Sequence, residues 1–169
     1  MTPQEFFKKD LFAEQTGVEL LEVREGYSKA CLAITENHLN AGRRTQGGAI
    51  FTLADLALAA AANSHGALAF SLSSNITFLR ASGPGDTLYA EARERYIGRT
   101  TGYYQIDITN QDGKLIAMHG PEPGSRVAVR TSNKSGRYFN VGSGTTGVAL
   151  SLPPAYPTQI GSKSNAKLQ

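Results

Sequence analysis

Gln46-Gly47-Gly48-Ala49-Ile50-Phe51-Thr52-Leu53-Ala54-Asp55, continuing through Leu56-Ala57-Leu58-Ala59 to Ala62, is the stretch that decides the fold. It is built of strong helix formers, carries too many alanines for a strand and is apolar nearly all round, which predicts a buried helix. Asp55 is the one charge between Arg44 and Arg80. A carboxylate in such a helix is costly to bury unless it is paired, hydrogen-bonded or protonated, and places that tolerate the cost are often functional. The plainer alternative is a carboxylate satisfied by local hydrogen bonds at a packing defect. At the other end, Gln46-Gly47-Gly48 opens the helix, where unused N–H groups and the positive end of the dipole face whatever docks there. Glycine permits close approach, although a flexible helix entry would also explain Gly47 and Gly48. Eight residues of helix separate Gly47 from Asp55 by about 12 Å, so one helix cannot bring both to one reacting atom. A second copy of the helix would supply the missing half.

On the N-terminal side, Thr2-Pro3-Gln4-Glu5 has the form of a capping box, and Phe6, Phe7, Leu11 and Phe12 form an apolar face behind it. One short amphipathic helix ending before Gly17 is expected. Val18 to Arg24 and Tyr27 to Thr35 flank Glu25-Gly26 as a hairpin would. Beyond the helix the pattern changes to period two. Phe70, Leu72, Ile76 and Phe78 share a face; Leu88, Ala90 and Ala92 another; Tyr104, Ile106 and Ile108 a third, with turn-forming clusters between them. The expected order is a helix, two strands, the buried helix and a four-stranded meander ending near Met118. A single apolar helix beside so long a sheet is covered only if the sheet curls around it.

The chain has 169 residues, 40% hydrophobic and 18% charged, which suits one globular domain and excludes a multidomain machine. The formal charge of +3 suggests an acidic partner until its distribution is examined. Residues 1–119 are net −2, and residues 120–169 are net +5 with Glu122 as their lone acid. In those last 50 residues Gly, Pro, Ser, Thr and Asn number 26, so turn and linker types outnumber core formers. The chain therefore divides into a domain over 1–119 and a Gly/Pro/Ser-rich basic tail over 120–169, in which Val127-Ala128-Val129 and Val148-Ala149-Leu150 are candidate short strands. His119-Gly120-Pro121-Glu122-Pro123 interrupts the last strand, which either stays short or resumes over Ser125 to Thr131. Arg126, Arg130, Lys134 and Arg137, next to Tyr138 and Phe139, give nucleic-acid binding weak support, since solvated linker charge explains them equally well.

Cys31 is the sole cysteine, so an intrachain disulfide and a Cys-rich metal site are excluded. The first fifteen residues lack a signal peptide's basic and apolar regions, and Ala49 to Ala62 is too short and too polar at its edges to span a bilayer. A cytoplasmic location without membrane attachment is expected. No Walker-type loop, dinucleotide fingerprint or spaced metal-ligand set occurs.

His38-Leu39-Asn40, a short linker and Gln46 to Asp55, followed by Ser73-Ser74-Asn75-Ile76-Thr77-Phe78-Leu79-Arg80-Ala81 and Gly85-Asp86, resemble the signature of hot-dog-fold acyl-CoA thioesterases of the phenylacetic-acid-degradation type. The resemblance covers about residues 10 to 118. It implies an α+β hot-dog fold, with an antiparallel sheet wrapped around one long helix. It further implies a homodimer, assembling to a tetramer, with each active site between two subunits. By the resemblance, Asp55 is the general base or nucleophile, the Gly47 N–H polarises the thioester carbonyl, and Asn40 lies near the carbonyl or the attacking water. Gln46 stands where many relatives have His and is better taken as a hydrogen-bonding orienter; His38 positions the loop or a water. Arg80, then Arg99, are the candidates for coenzyme A phosphates, with Gly48, Ser74 and Asn75 also placed against the substrate. Arg43 and Arg44 flank the loop and are more simply solvated arginines.

An oxyanion donor plus a carboxylate can suffice for a reactive thioester, one such donor contributing about 3 kcal/mol. Coenzyme A enters as part of the substrate, and no separate cofactor or metal is expected. The implied reaction is hydrolysis of aryl- or medium-chain acyl-CoA. A hot-dog hydratase or dehydratase and a non-catalytic acyl-CoA-binding protein are the alternatives. Cys31, in an alternating strand, is expected to be a core or interface residue rather than a nucleophile. His65 is expected to interact with the negative end of the buried helix, and His119 is expected to be structural.

Overall fold

The computed structural model describes residues 3–120 and 129–131. The tail beyond Thr131 and the candidate strand Val148-Ala149-Leu150 lie outside the described residues, as do Thr2 of the capping box and most of the basic residues considered for nucleic-acid binding.

The single N-terminal helix expected from the sequence is two: α1 (Pro3–Phe7) and α2 (Leu11–Thr16). The break has a local cause. The N–H groups of Lys9 and Asp10 turn back onto the Phe6 and Phe7 carbonyls, and the Asp10 carboxylate then accepts the Ala13 N–H at 3.0 Å, capping a new helix. Gly17, at φ 78°, closes α2 in the left-handed conformation that favours glycine.

The hairpin forms as expected. β1 (Val18–Arg24) and β2 (Tyr27–Ala33) pair antiparallel across Glu25-Gly26, with Arg24 opposite Tyr27. A 3₁₀ turn over Glu36–His38 leads through a loop to α3 (Gly47–Asn63), the long buried helix. The run from Phe70 to Phe78 does not form one strand. It divides into β3 (Ala69–Ser71) and β4 (Ile76–Phe78), which join different sheets. β5 (Thr87–Ile97), β6 (Gly102–Asn110) and β7 (Leu115–His119) form the meander. The main sheet has the antiparallel order β1-β2-β5-β6-β7-β4, and β3 pairs separately with β8 (Val129–Thr131). The chain thus returns to strand structure after the prolines, within the predicted Ser125 to Thr131, but on β3 and not as a prolongation of β7.

The sheet wraps α3 because both surfaces are lined with small side chains. α3 packs mainly on β2 and β5, whose inward residues include Ser28, Ala30, Ala90 and Ala92, all fully buried. Ala30 lies opposite Ala90 in the ladder, and Ala90 opposite Ile108. Alongside them α3 buries Leu53, Ala54, Ala57 and Ala61, none of which is exposed at all. The Ser28 hydroxyl donates to the Ala57 carbonyl, so the one polar side chain of this contact is satisfied within it. Tyr104, Ile106 and Ile108 of β6 complete the core. β4 is one edge of the main sheet, and the apolar side chains around it, Phe78 and Leu79, are exposed, as are Phe70 and Leu72 nearby.

Among the described residues, no helix is long and apolar enough to cross a membrane. The close approach of α3 to β5 makes a direct prediction. Ala90→Leu should lower unfolding stability by about 1–3 kcal/mol, because an interior this tight has no room for three more carbons. Urea unfolding measures it, and an unchanged midpoint would contradict the packing.

Candidate active site

Gln46 is the N-cap of α3. Its side-chain Oε1 accepts the Gly48 N–H, and its carbonyl accepts the N–H groups of Ala49 and Ile50. Among the described residues, the first-turn donor that these caps leave over is the Gly47 N–H. A side chain at Gly47 would place its Cβ 3.0 Å from Cζ of Phe78 on β4, so any larger residue there must displace that exposed ring slightly. At Gly48 a Cβ would meet the capping oxygen of Gln46 at 2.8 Å. Gln46 therefore caps the helix entry through its side chain.

The loop before α3 is shaped by Asn40, whose Oδ1 accepts the N–H groups of Gly42 at 2.9 Å and Arg44 at 3.2 Å. Arg43 holds a positive φ of 58° in the same turn and pairs with Glu36 at 2.8 Å. His38 has both ring nitrogens engaged. Nδ1 accepts the Thr35 N–H at 3.0 Å, which leaves the proton on Nε2, 2.9 Å from the Thr16 carbonyl. It anchors the loop to the end of α2, and its carbonyl takes the Gln46 N–H at 2.7 Å.

These pieces frame a cleft of ≈ 440 Å³ lined by Asn40, Arg44, Gly47, Phe78 and Arg80 among others. The Arg80 guanidinium donates to the Leu115 carbonyl at 2.7 Å, which fixes its stem beside the cleft. Asp55 lines a different cleft, of ≈ 280 Å³, together with Ser71. The Ser71 hydroxyl donates to Asp55 Oδ1 at 3.4 Å. Burial raises the Asp55 pKa above its ordinary value, the Ser71 hydrogen bond pulls it back, and the charge of Asp10 adds to the rise.

The structure therefore gathers Asn40, Gly47 and Arg80 in one cleft and puts Asp55 in another, as the rise of the helix requires. Gly48, Ser74 and Asn75 line neither. Ser74 shares a hydrogen bond with His119 Nε2, and the Asn75 carbonyl accepts the Gly120 N–H at 3.1 Å. Arg99 lies in the β5–β6 turn, outside both clefts. Ser71 went unrecognised in the sequence, where it is one of three serines in Ser71-Leu72-Ser73-Ser74; only the placement of β3 beside α3 singles it out.

Two histidines and the cysteine lie apart from these clefts. His65 pairs with Glu94 at 2.5 Å, a carboxylate that also takes the Tyr104 hydroxyl at 2.8 Å. His65, just beyond the end of α3, is thus also held by a strand carboxylate. Cys31 is half-buried on β2, and burial raises its thiol pKa, with Glu19 adding to the rise, so it is no activated nucleophile. Among the described residues, no three His, Cys, Asp or Glu side chains are grouped to hold a metal ion.

A long helix enclosed by a curled antiparallel sheet, with an N–H donor at its start and a partly buried carboxylate at its middle, is a hot-dog fold. The thioesterase superfamily model matches residues 46–117. A putative esterase of Archaeoglobus fulgidus is 42% identical over 112 residues, spanning 66% of this chain and 73% of that protein. The acyl-coenzyme A thioesterase PaaI of Escherichia coli is 38% identical over 112 residues, spanning 66% of this chain and 80% of its own. The solved structure of E. coli PaaI, from the phenylacetic acid degradation operon, superposes with a TM-score of 0.70 at 33% identity, covering 76% of this chain and 89% of that one. A Streptococcus mutans protein solved with acetyl-CoA bound gives a TM-score of 0.62 at 26% identity, over 69% and 90% of the two chains. The chain belongs to the thioesterase superfamily, as a hot-dog thioesterase of the PaaI type.

His119 makes the testable point of this region. It is fully buried beside Phe51, its Nδ1 has no hydrogen-bond partner among the described residues, and burial pushes its pKa down to about 4. The unfolded chain, with an ordinary imidazole near 6.5, binds this proton more readily. The part of the stability linked to this group is thus full above about pH 6.5 and is lost as pH drops toward 4, by about 3 kcal/mol. Denaturant unfolding across that range should show a steeper acid loss in the wild type than in His119→Leu. Equal slopes would contradict the assignment.

Proposed function

We propose that the protein hydrolyses aryl- or medium-chain acyl-CoA thioesters to the free acid and coenzyme A at sites formed between two copies of the chain. The observation that carries this reading is the division of the chemistry along α3: the Gly47 N–H and Asp55 are eight residues apart and line separate clefts. In a dimer, the thioester carbonyl accepts the Gly47 N–H of one copy, and Asp55 of the other activates water, or attacks directly, at the carbonyl carbon. Negative charge developing on the carbonyl oxygen is met by a donor already fixed at a helix N-terminus, at no reorganisation cost. The open β4 edge with exposed Phe78 and Leu79, next to Gly47, supports pairing at that edge.

Asp55 is suited to the role of base by its raised pKa, which brings it closer to the pH at which it works. Ser71 holds the carboxylate in place. Arg80 and Arg44, at the rim of the Gly47 cleft, supply cations for the phosphates of coenzyme A. Asn40 spends its Oδ1 on shaping the loop, which places its side chain at the edge of the same cleft.

Thiol release from acyl-CoA tests the reading. Asp55→Asn should lower kcat/KM by about 10²–10⁴-fold, and undiminished turnover would overturn the mechanism. In the wild type the acid limb of the pH profile should lie above the ordinary carboxylate value near 3.8. Because a raised pKa makes ionised Asp55 a cost to folding at neutral pH, the same variant should melt at a higher temperature than the wild type. Gly47→Pro removes the donor at a helix position that tolerates proline, whereas Gly47→Ala adds a comparable contact with Phe78 and keeps the N–H. The proline variant should be about 10²–10³-fold slower than the alanine variant in kcat; equal rates would remove Gly47 from the oxyanion site.

A further inference from the structure

The cleft lined by Asp55 runs from the carboxylate toward the C-terminal end of α3. One wall is the α3 face carrying Leu58 and Ala59; the other is Phe70 of β3 with Phe6 and Phe7 of α1. Asn63 also lines the cleft, and its Nδ2 donates to the carbonyls of Ala59 at 2.9 Å and Ala69 at 3.1 Å, while its Oδ1 accepts the Ala69 N–H at 3.0 Å. This amide joins α3 to β3, which fixes the two walls relative to each other two helical turns from the carboxylate. Its ≈ 280 Å³ amounts to roughly nine water-sized groups at about 30 Å³ each. The two α1 rings meet edge to face, with centroids 5.1 Å apart. Phe7 packs against the core, and Phe6 remains 43% exposed, so Phe6 is the outer member of the wall.

We propose that this cleft is the acyl-end subsite of the enzyme, with Ala59 setting the length of acyl group that fits and Phe6 forming its outer wall; the inference rests on the proposed hydrolysis at Asp55. A thioester whose carbonyl carbon stands at Asp55 has an acyl end that must leave the carbonyl on the side away from coenzyme A. The apolar lining favours a hydrocarbon end over water. Ala59 is half-buried at mid-cleft, where a longer side chain would occupy acyl space without entering the core. An acyl group of up to roughly nine non-hydrogen atoms fills the available volume. The break between α1 and α2 matters for this subsite, because it lets the Phe6–Phe7 pair fold against α3 and not continue along one helix axis.

The test compares kcat/KM for butyryl-, octanoyl- and dodecanoyl-CoA, using the full chain and two variants. Ala59→Leu should lower the octanoyl-to-butyryl ratio by about tenfold or more, and Phe6→Ala should raise the dodecanoyl-to-octanoyl ratio several-fold. A purely structural effect would depress all three thioesters together and leave the ratios alone. Unchanged ratios, with the wild type hydrolysing the series, overturn the subsite and leave the hydrolysis standing. If the wild type releases thiol from none of the three, the subsite falls, and the hydrolysis falls with it if benzoyl-CoA is also left intact. Phe6 is exposed on the first helix, so its variant decides the matter even if Ala59→Leu does not fold.

Discussion

A helix advances about 1.5 Å per residue, and its hydrogen bonds make that spacing stiff. In α3 this rigidity holds an N–H donor and a carboxylate about 12 Å apart along one axis, too far to act on one bond. Everything else follows from keeping α3 straight and enclosed. The sheet can curl around it only because alanines and Ser28 meet alanines at the contact with β2 and β5. The enclosed helix then exposes just its N-terminal end and the Asp55 flank, each at its own cleft. In the proposed dimer, two copies paired antiparallel would bring together the groups that one copy separates, and two-fold symmetry would give two equal sites.

The same arrangement explains which energetic conflicts the molecule carries. Asp55 is held where burial disfavours its charge, with the Ser71 hydroxyl donating to it. His119 is buried neutral with an unpartnered nitrogen. Both lower stability under some condition of pH, in opposite senses: Asp55 as pH rises above its ordinary carboxylate value, His119 as pH falls below its ordinary imidazole value. Asp55 belongs to the proposed chemistry, and its cost is the usual companion of a tuned carboxylate. His119 lies in the last strand of the main sheet, where its bond to Ser74 ties that strand to the segment between β3 and β4.

The central helix was legible because its signal is long and uniform: the expected Gly47 to Ala62 differs from the observed Gly47–Asn63 by one residue. The hairpin was legible from Glu25-Gly26, where a two-residue turn sets the register of both strands. Shorter elements depended on interactions that a local pattern does not contain. The Lys8 to Asp10 break comes from a cap that Asp10 makes once the chain has already turned. The alternation from Phe70 to Phe78 is real, yet β3 and β4 pair with β8 and β7, partners far along the chain. Of the proposed site residues, Asp55 and Gly47 were recognisable from position and resemblance, and Asn40 and Arg80 from the resemblance alone. Ser71 was not, because its role depends on which of several serines β3 brings against α3. Arg99, singled out for its charge, lies in a turn away from both clefts.

The claim that each site is built from two copies is tested most directly by mixing two inactive variants. Asp55→Asn and Gly47→Pro chains, unfolded and refolded together, form hybrids in which one of the two sites regains an intact donor and an intact carboxylate. Random pairing then restores about a quarter of wild-type thioesterase activity, against almost none for either variant alone. A mixture that stays as inactive as its components, with hybrid dimers demonstrably formed, would contradict a shared site.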